Sequence, residues 1–101
     1  MTVYVDDMRR PARVGRIRAR WSHLMADTTP ELLTFAARLG LRRVWIQHEG
    51  TPIEHFDVTD SMRAKALHLG AVPVRYGREG AEITRRKIEA RKRNQAPEAA
   101  R

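Results

Sequence analysis

The feature that most constrains this chain is an internal repeat. Asp27-Thr28-Thr29 and Asp57-Val58-Thr59 each lead into an amphipathic stretch that stops at a glycine, Gly40 in the first copy and Gly70 in the second. The spacing is thirty residues at both ends, and Ala36/Ala66, Leu39/Leu69 and Val44/Val74 fall in the same register. A β-rich segment followed by a 3.6-period segment is a strand feeding a helix. Two copies laid side by side in a parallel sheet would bring both helix entrances to one edge, and with them His23, Asp27, His55 and Asp57. Helix entrances carry unpaired N–H groups and the positive end of the dipole, so they favour anions.

Taken in order, Thr2-Val3-Tyr4-Val5 is β-branched and aromatic and reads as a first strand ending in Asp6-Asp7. Carboxylates at the C-terminal end of a strand lie where open α/β sheets place their ligand crevice. Pro11 and Gly15 make the stretch that follows a loop. From Arg16 the chain alternates: Ile17, Ala19, Trp21, His23 and Met25 form one row, and Arg16, Arg18, Arg20 and Ser22 the other. That is a strand with an apolar inner face, holding Trp21 in the core, and an arginine-lined outer face suited to bidentate phosphate contact. His23 lies on the inner row, and two further steps along it reach Asp27.

Thr29-Pro30-Glu31 predicts a helix start, with Thr29 as the cap, and Leu32, Phe35, Ala36 and Leu39 form its apolar stripe up to Gly40. Residues 43–47 read as a strand buried on both faces, the far side of a parallel crossover. His48 to Pro52 is a loop. Ile53 to Asp57 is a short strand in which His55 and Asp57 point the same way. Thr59 caps a second helix ending at Gly70, with Arg63 near its entrance. Ala71 to Tyr76 forms a last strand, at an edge because of Pro73. Residues 81–93 are helix-prone and highly charged, with Ile83 and Ile88 as their main apolar positions.

The fold expected is therefore α/β: a small mostly parallel or mixed sheet with two crossover helices and a C-terminal basic helix. Its parts are a compact domain over 1–77, a basic helical extension over 78–94 and a disordered tail over 95–101. With 101 residues there is room for one core. The absence of any cysteine excludes thiolate catalysis, iron–sulfur clusters and cysteine zinc sites. No apolar run is long enough to span a membrane and no secretory signal opens the chain, which places it in the cytosol.

The net charge of +8 is unevenly spread. Residues 1–20 hold six Arg against two Asp, residues 78–101 eight Lys/Arg against four Glu, and residues 21–77 six of each sign. Basic ends around a neutral middle favour polyanions such as nucleic acid or a nucleotide.

Signatures of phosphate loops, dinucleotide folds, serine-nucleophile elbows and zincin helices are all missing. What remains is a constellation of His23, Asp27, His55 and Asp57. Imidazole with carboxylate divides acid and base roles at neutral pH, or holds a divalent metal, for which Asp6, His23, His55 and Asp57 are the candidate ligands. Arg63, the arginines at 16, 18 and 20, and Arg85 and Arg86 are candidate phosphate or nucleic-acid contacts. Two readings follow: a phosphate- or nucleotide-handling protein, as a metal-dependent phosphoester hydrolase, or a non-catalytic nucleic-acid-binding module using the Arg-rich N-terminal segment and the basic helix. For the aspartates a structural role competes, since an Asp two residues before a capping Thr can close an Asx-turn.

Val3-Tyr4-Val5-Asp6-Asp7, Trp21-Ser22-His23-Leu24-Met25-Ala26-Asp27-Thr28, the helix from Glu31-Leu32 through Phe35-Ala36 to Leu39-Gly40-Leu41, His55-Phe56-Asp57-Val58-Thr59 and Leu69-Gly70-Ala71 together resemble a family of small bacterial and phage proteins catalogued as a domain of unknown function. The resemblance covers about residues 2–74. It implies a compact domain ending near Tyr76 and brings no activity with it.

Overall fold

The computed structural model of the chain describes residues 2–99. Its first strand, β1 (Val3–Asp6), is buried along its whole length, because it lies between two others. The ten-residue β3 (Ile17–Ala26) runs antiparallel on one side of it, and β5 (Val72–Val74) runs parallel on the other. β2 (Arg10–Val14) and β4 (Phe56–Thr59) both pair antiparallel with β3. Trp21 stands opposite both Arg10 and Thr59, and Leu24 opposite both Val5 and Phe56. A strand has two edges, so β1 and β2 share one edge of β3 and β4 takes the other. The result is one mixed five-stranded sheet, as expected of the α/β class.

Between the pairs Val5↔Leu24 and Arg10↔Trp21 the β1–β2 side takes five steps where β3 takes three. The two extra residues form a bulge, with Arg9 at φ +46. Beyond it β2 is a strand where the Pro and Gly pointed to a loop. Gly15, at φ +61, is the first residue of a two-residue hairpin turn between Val14 and Ile17, and Pro11 sits on a free edge that needs no N–H donor. All of β2 is exposed, because the hairpin runs past the helices.

Three helices accompany the sheet among the described residues: α1 (Thr29–Leu39), α2 (Asp60–His68) and α3 (Arg78–Ala99). Of the tail expected over 95–101, residues 95–99 continue the backbone of α3, and residues 100–101 lie outside the described residues. Val3, Val5, Leu24, Ala26, Phe56 and Val58 form one face of the sheet and close the core against Leu32, Phe35, Ala36 and Leu39 of α1 and Ala66 of α2. By alternation, Tyr4, Asp6, His23, Met25, His55 and Asp57 belong to the opposite face. There α3 packs through Ile83 and Lys87, both buried.

The phase of β3 is thus the reverse of the one expected. Ser22, Leu24 and Ala26 point into the core, and Trp21, His23 and Met25, half-buried, lie on the other side. Alternation defines two rows but does not say which row the helices cover. The arginines are exposed only because residues 16–20 extend beyond α1 and α2. Trp21 is accordingly no core residue, and its Nε1 donates to the Ala12 carbonyl at 3.1 Å.

The repeat is real at the helix ends. Gly40 N–H and Leu41 N–H return to Ala37 and Ala36 carbonyls, and Gly70 N–H and Ala71 N–H to Leu67 and Ala66, at distances of 2.9–3.1 Å. These are the paired bonds of a left-handed helix stop, with Gly40 at φ +83 and Gly70 at φ +106. At the helix starts the register slips by one: Thr28, not Thr29, caps α1, and Thr59 caps α2. Residues 43–47 are not a strand. Arg43–Trp45 is a 3-10 turn with Val44 72% and Trp45 52% exposed, and only Gln47 pairs, with His55. An apolar run of three reads the same whether buried or not. α1 therefore joins the neighbouring antiparallel strands β3 and β4, and α2 is the helix that crosses over, from β4 past β3 and β1 to β5.

Candidate functional site

The antiparallel register places His23 opposite Asp57, and His55 precedes Asp57 by two residues on the same face. Three donors from two strands meet in consequence. The His23 and His55 rings pack edge to face with centroids 4.8 Å apart. His55 Nε2 lies 3.5 Å from Asp57 Oδ1, and ligand atoms of His23, His55 and Asp57 all lie within 4.8 Å of one another.

Each ring is oriented from behind. Asp6, 2% exposed at the bulge, accepts the His23 backbone N–H and the Met8 N–H on Oδ1, at 2.9 and 3.2 Å, and faces His23 Nδ1 with Oδ2 at 2.7 Å. The carboxylate thus replaces the ladder partner lost in the bulge and fixes the imidazole. His55 Nδ1 donates to the Ile53 carbonyl at 2.8 Å. With both Nδ1 atoms committed, Nε2 is the nitrogen each ring offers to a ligand. Gln47 Nε2 donates to Asp57 Oδ2.

Burial by itself pushes the His55 imidazolium toward neutrality. The hydrogen bonds to Asp57 and the Ile53 carbonyl, with the charges of Asp57 and Asp6, outweigh it and raise the pKa above 6.5. Asp57 is lowered below 3.8, first by its hydrogen bond to His55, against some desolvation.

Asp6, His23 and His55 line a cleft of about 300 Å³ that also takes in His48, Glu54, Tyr76 and, from α3, Ile83 and Lys87. The Tyr76 ring stacks on His23 at 5.8 Å and is held by its backbone N–H donating to Asp7 Oδ1 at 2.7 Å. The His48 ring lies 5.9 Å from that of His55. His48 sits at φ +54, in the left-handed region that non-glycine residues seldom adopt.

Asp27 is not brought in. It accepts Thr2 N–H at 3.0 Å and the Tyr4 hydroxyl at 2.8 Å, and it borders a separate hollow with Thr28, Thr29, Arg86 and Arg91. The shared helix-entrance edge fails for a geometric reason. β3 and β4 run in opposite directions and Thr59 faces Trp21, so the start of α1 at Thr28 is seven residues, roughly 23 Å, further along β3. His23 reaches His55 through antiparallel register, not through the repeat. Neither aspartate closes an Asx-turn: their carboxylates bond Thr2 and Tyr4 in one case and Gln47 and His55 in the other.

Arg63 is also turned elsewhere, its Nε donating to the Asp6 carbonyl at 2.8 Å. Arg16, Arg18 and Arg20 are exposed on the hairpin, Arg85 is exposed on α3, and the Arg86 guanidinium lies 6.0 Å over the Tyr4 ring. By alternation Arg18 and Arg20 share the α1/α2 side of the sheet, whereas α3 covers the other, so the two basic segments do not form one face.

His48, Glu54, Tyr76 and Lys87 were not legible as site residues. No spacing links them; the loop before β4, the turn after β5 and α3 bring them to the cleft.

A sheet of this topology with a two-imidazole, one-carboxylate cluster on its open face defines a small α/β protein with a candidate metal or acid–base centre. The chain belongs to the family described as Protein of unknown function (DUF4031), which matches residues 3–87. That span takes in the first half of α3. No curated protein and no solved structure matches it. Among the described residues no helix is long and apolar enough to cross a membrane.

Proposed function

We propose that this protein is a divalent-metal-dependent phosphoester hydrolase whose centre is His23, His55 and Asp57. The observation that carries the reading is the convergence of those three donors within 4.8 Å, with both Nδ1 atoms already bonded away from it. Donors of a tetrahedral site with bonds of about 2.1 Å stand roughly 3.4 Å apart. The His55–Asp57 contact at 3.5 Å has that spacing already, and the wider contacts, at up to 4.8 Å, close to it through side-chain movements of at most about 1.4 Å.

Two imidazoles and a carboxylate suit zinc, manganese or iron and leave coordination positions for water and substrate. A divalent ion held there would supply a water of lowered pKa and a Lewis acid for a phosphoryl oxygen. Asp6 and the Ile53 carbonyl hold the two rings in the tautomer that binds through Nε2. We assign His48, which lines the cleft outside the ligand set, the role of taking a water's proton and returning it to the leaving oxygen. Hydrolysis here would join a water oxygen to phosphorus and break the ester P–O bond, the alcohol leaving with the proton.

Titration of Mn²⁺ and Zn²⁺ into chelator-treated protein, followed by calorimetry, tests this directly. One ion should bind per chain, and hydrolysis of a nitrophenyl phosphoester should require it and disappear in His55→Ala. Absence of saturable binding for either ion would overturn the proposal.

A second reading rests on the hairpin. Arg13 and Arg18 stand directly opposite each other with no carboxylate between them, a like-charge pair that costs stability unless a polyanion relieves it. If the hairpin grips nucleic acid, affinity should fall with a log–log salt slope of roughly −0.9 per phosphate contact on a duplex or −0.7 on a single strand, and replacing Arg16, Arg18 and Arg20 by Ala should flatten it.

A further inference from the structure

Lys87 lines the cleft and takes no part in the metal centre. It is 7% exposed, and its Nζ is the one buried side-chain polar atom among the described residues without a hydrogen-bond partner. It lies one helical turn from buried Ile83, on the face of α3 that packs against the sheet, where Leu or Met would fill the space without a charge. Burying an unpaired ammonium is strongly unfavourable even after relaxation. Buried polar atoms left orphaned by the chain call for a partner from outside it.

The charges around Lys87 do not supply one. Glu54, the acidic group whose charge acts most on Lys87, makes no hydrogen bond to it: its carboxylate accepts Gly50 N–H on Oε1 at 2.9 Å and the single Thr29 hydroxyl hydrogen, which lies between the two oxygens at 2.7 and 2.8 Å. Asp27, across the adjoining hollow, is held by Thr2 and Tyr4. Arg91, one turn further along α3, repels it.

We propose that Lys87 is the anion-binding residue of this cleft, its ammonium taking a phosphate oxygen of a small phosphorylated substrate while other oxygens of the same phosphate face His23, His55 and Asp57. This deepens the phosphoester reading and rests on it for the second half of the contact. Three observations set the substrate class. The orphan donor and the histidine cluster line one cleft; its volume of about 300 Å³ is at the small end of the range for small-molecule sites; and the half-exposed Tyr76 ring at its lip offers a face to a flat group such as a nucleobase. Burial lowers the Lys87 pKa below 10.5, against the opposing charge of Glu54, and a bound phosphate favours the charged form again.

The test uses the full chain, as wild type and as Lys87→Met, which keeps length and volume and removes the charge and donors. Lys87→Gln is the second variant should the first not fold. Calorimetry with inorganic phosphate and with a nucleoside monophosphate is run in Mn²⁺ and again in chelator. The expected result is phosphate affinity about tenfold to a hundredfold weaker in the variant, as for loss of a charge-assisted hydrogen bond, with Mn²⁺ affinity unchanged and the melting temperature equal or higher. Equal phosphate affinity in variant and wild type, or no phosphate binding to either, overturns the assignment. So does a parallel loss of Mn²⁺ affinity, because Lys87 would then act through the cluster. If wild type binds no Mn²⁺ but Lys87→Met still weakens phosphate binding in chelator, the metal reading fails and the Lys87 site stands. Tighter binding of the monophosphate than of phosphate identifies a nucleotide, and equal binding identifies the phosphate group alone.

Discussion

Phe56 and Asp57 are neighbours on β4, yet they belong to opposite faces of the sheet with opposite physics. On the Phe56 side lie Leu24, Val58 and the stripes of α1 and α2, all closed to water. On the Asp57 side lie His23, His55, Asp6 and Lys87, with α3 covering only part of them. One face supplies the burial that makes the chain fold. The other is left free for polar groups that contribute little to that burial, and it is where ligand chemistry is affordable.

Breaking the apolar face has the largest expected effect. Phe56→Ala should lower unfolding free energy by about 3–5 kcal/mol in a denaturant titration, the usual range for removing a buried ring and leaving a cavity. His55→Ala, one residue away, should leave the denaturation midpoint nearly unchanged while saturable metal binding disappears in calorimetry. A variant that loses several kcal/mol at position 55 and keeps its metal affinity would reverse the assignment of the two faces.

The support behind the cluster comes next. Asp6→Asn removes the carboxylate that fixes His23, and metal affinity should drop by roughly 10–100-fold with the fold intact by circular dichroism. Asp27→Asn, by contrast, should cost only about 1 kcal/mol through its bonds to Thr2 and Tyr4 and leave metal affinity untouched. Equal effects of the two substitutions on metal binding would join the junctions that the structure separates.

The smallest effect is on pH. In metal-free protein, His55 is raised above 6.5, so its pairing with Asp57 stabilises the fold fully below the unfolded pKa and that contribution fades as pH rises through the folded value. Asp57 is lowered below 3.8, so its contribution is present above that value and fades as pH falls through the folded one. Stability measured across pH should therefore carry a shallow maximum between the two, and His55→Ala should flatten both shoulders. Unchanged shoulders in the variant would show that the pair is not coupled.

The sequence by itself determined the elements whose signals are local. Both helices stop where Gly40 and Gly70 allow a left-handed turn, Thr59 caps α2, and Val3-Tyr4-Val5 is a strand, because caps, stops and β-branching act within a few residues. It also named His23, His55 and Asp57, since a histidine and a carboxylate at i and i+2 on a strand must share a face. Only the tertiary structure decided which face. The row of β3 that reads as apolar is the open one, because helices choose a row by where their own stripes dock, and the exposed arginines merely mark where α1 and α2 end. Strand direction was likewise a tertiary matter: the thirty-residue repeat suggested parallel units, but chain pairing set β3 against β4, bringing His23 to Asp57 and carrying Asp27 away. Lys87 became visible only once α3 lay on the sheet, since burial of a charge in a basic helix is a property of what the helix packs against and leaves no mark on the spacing of its residues.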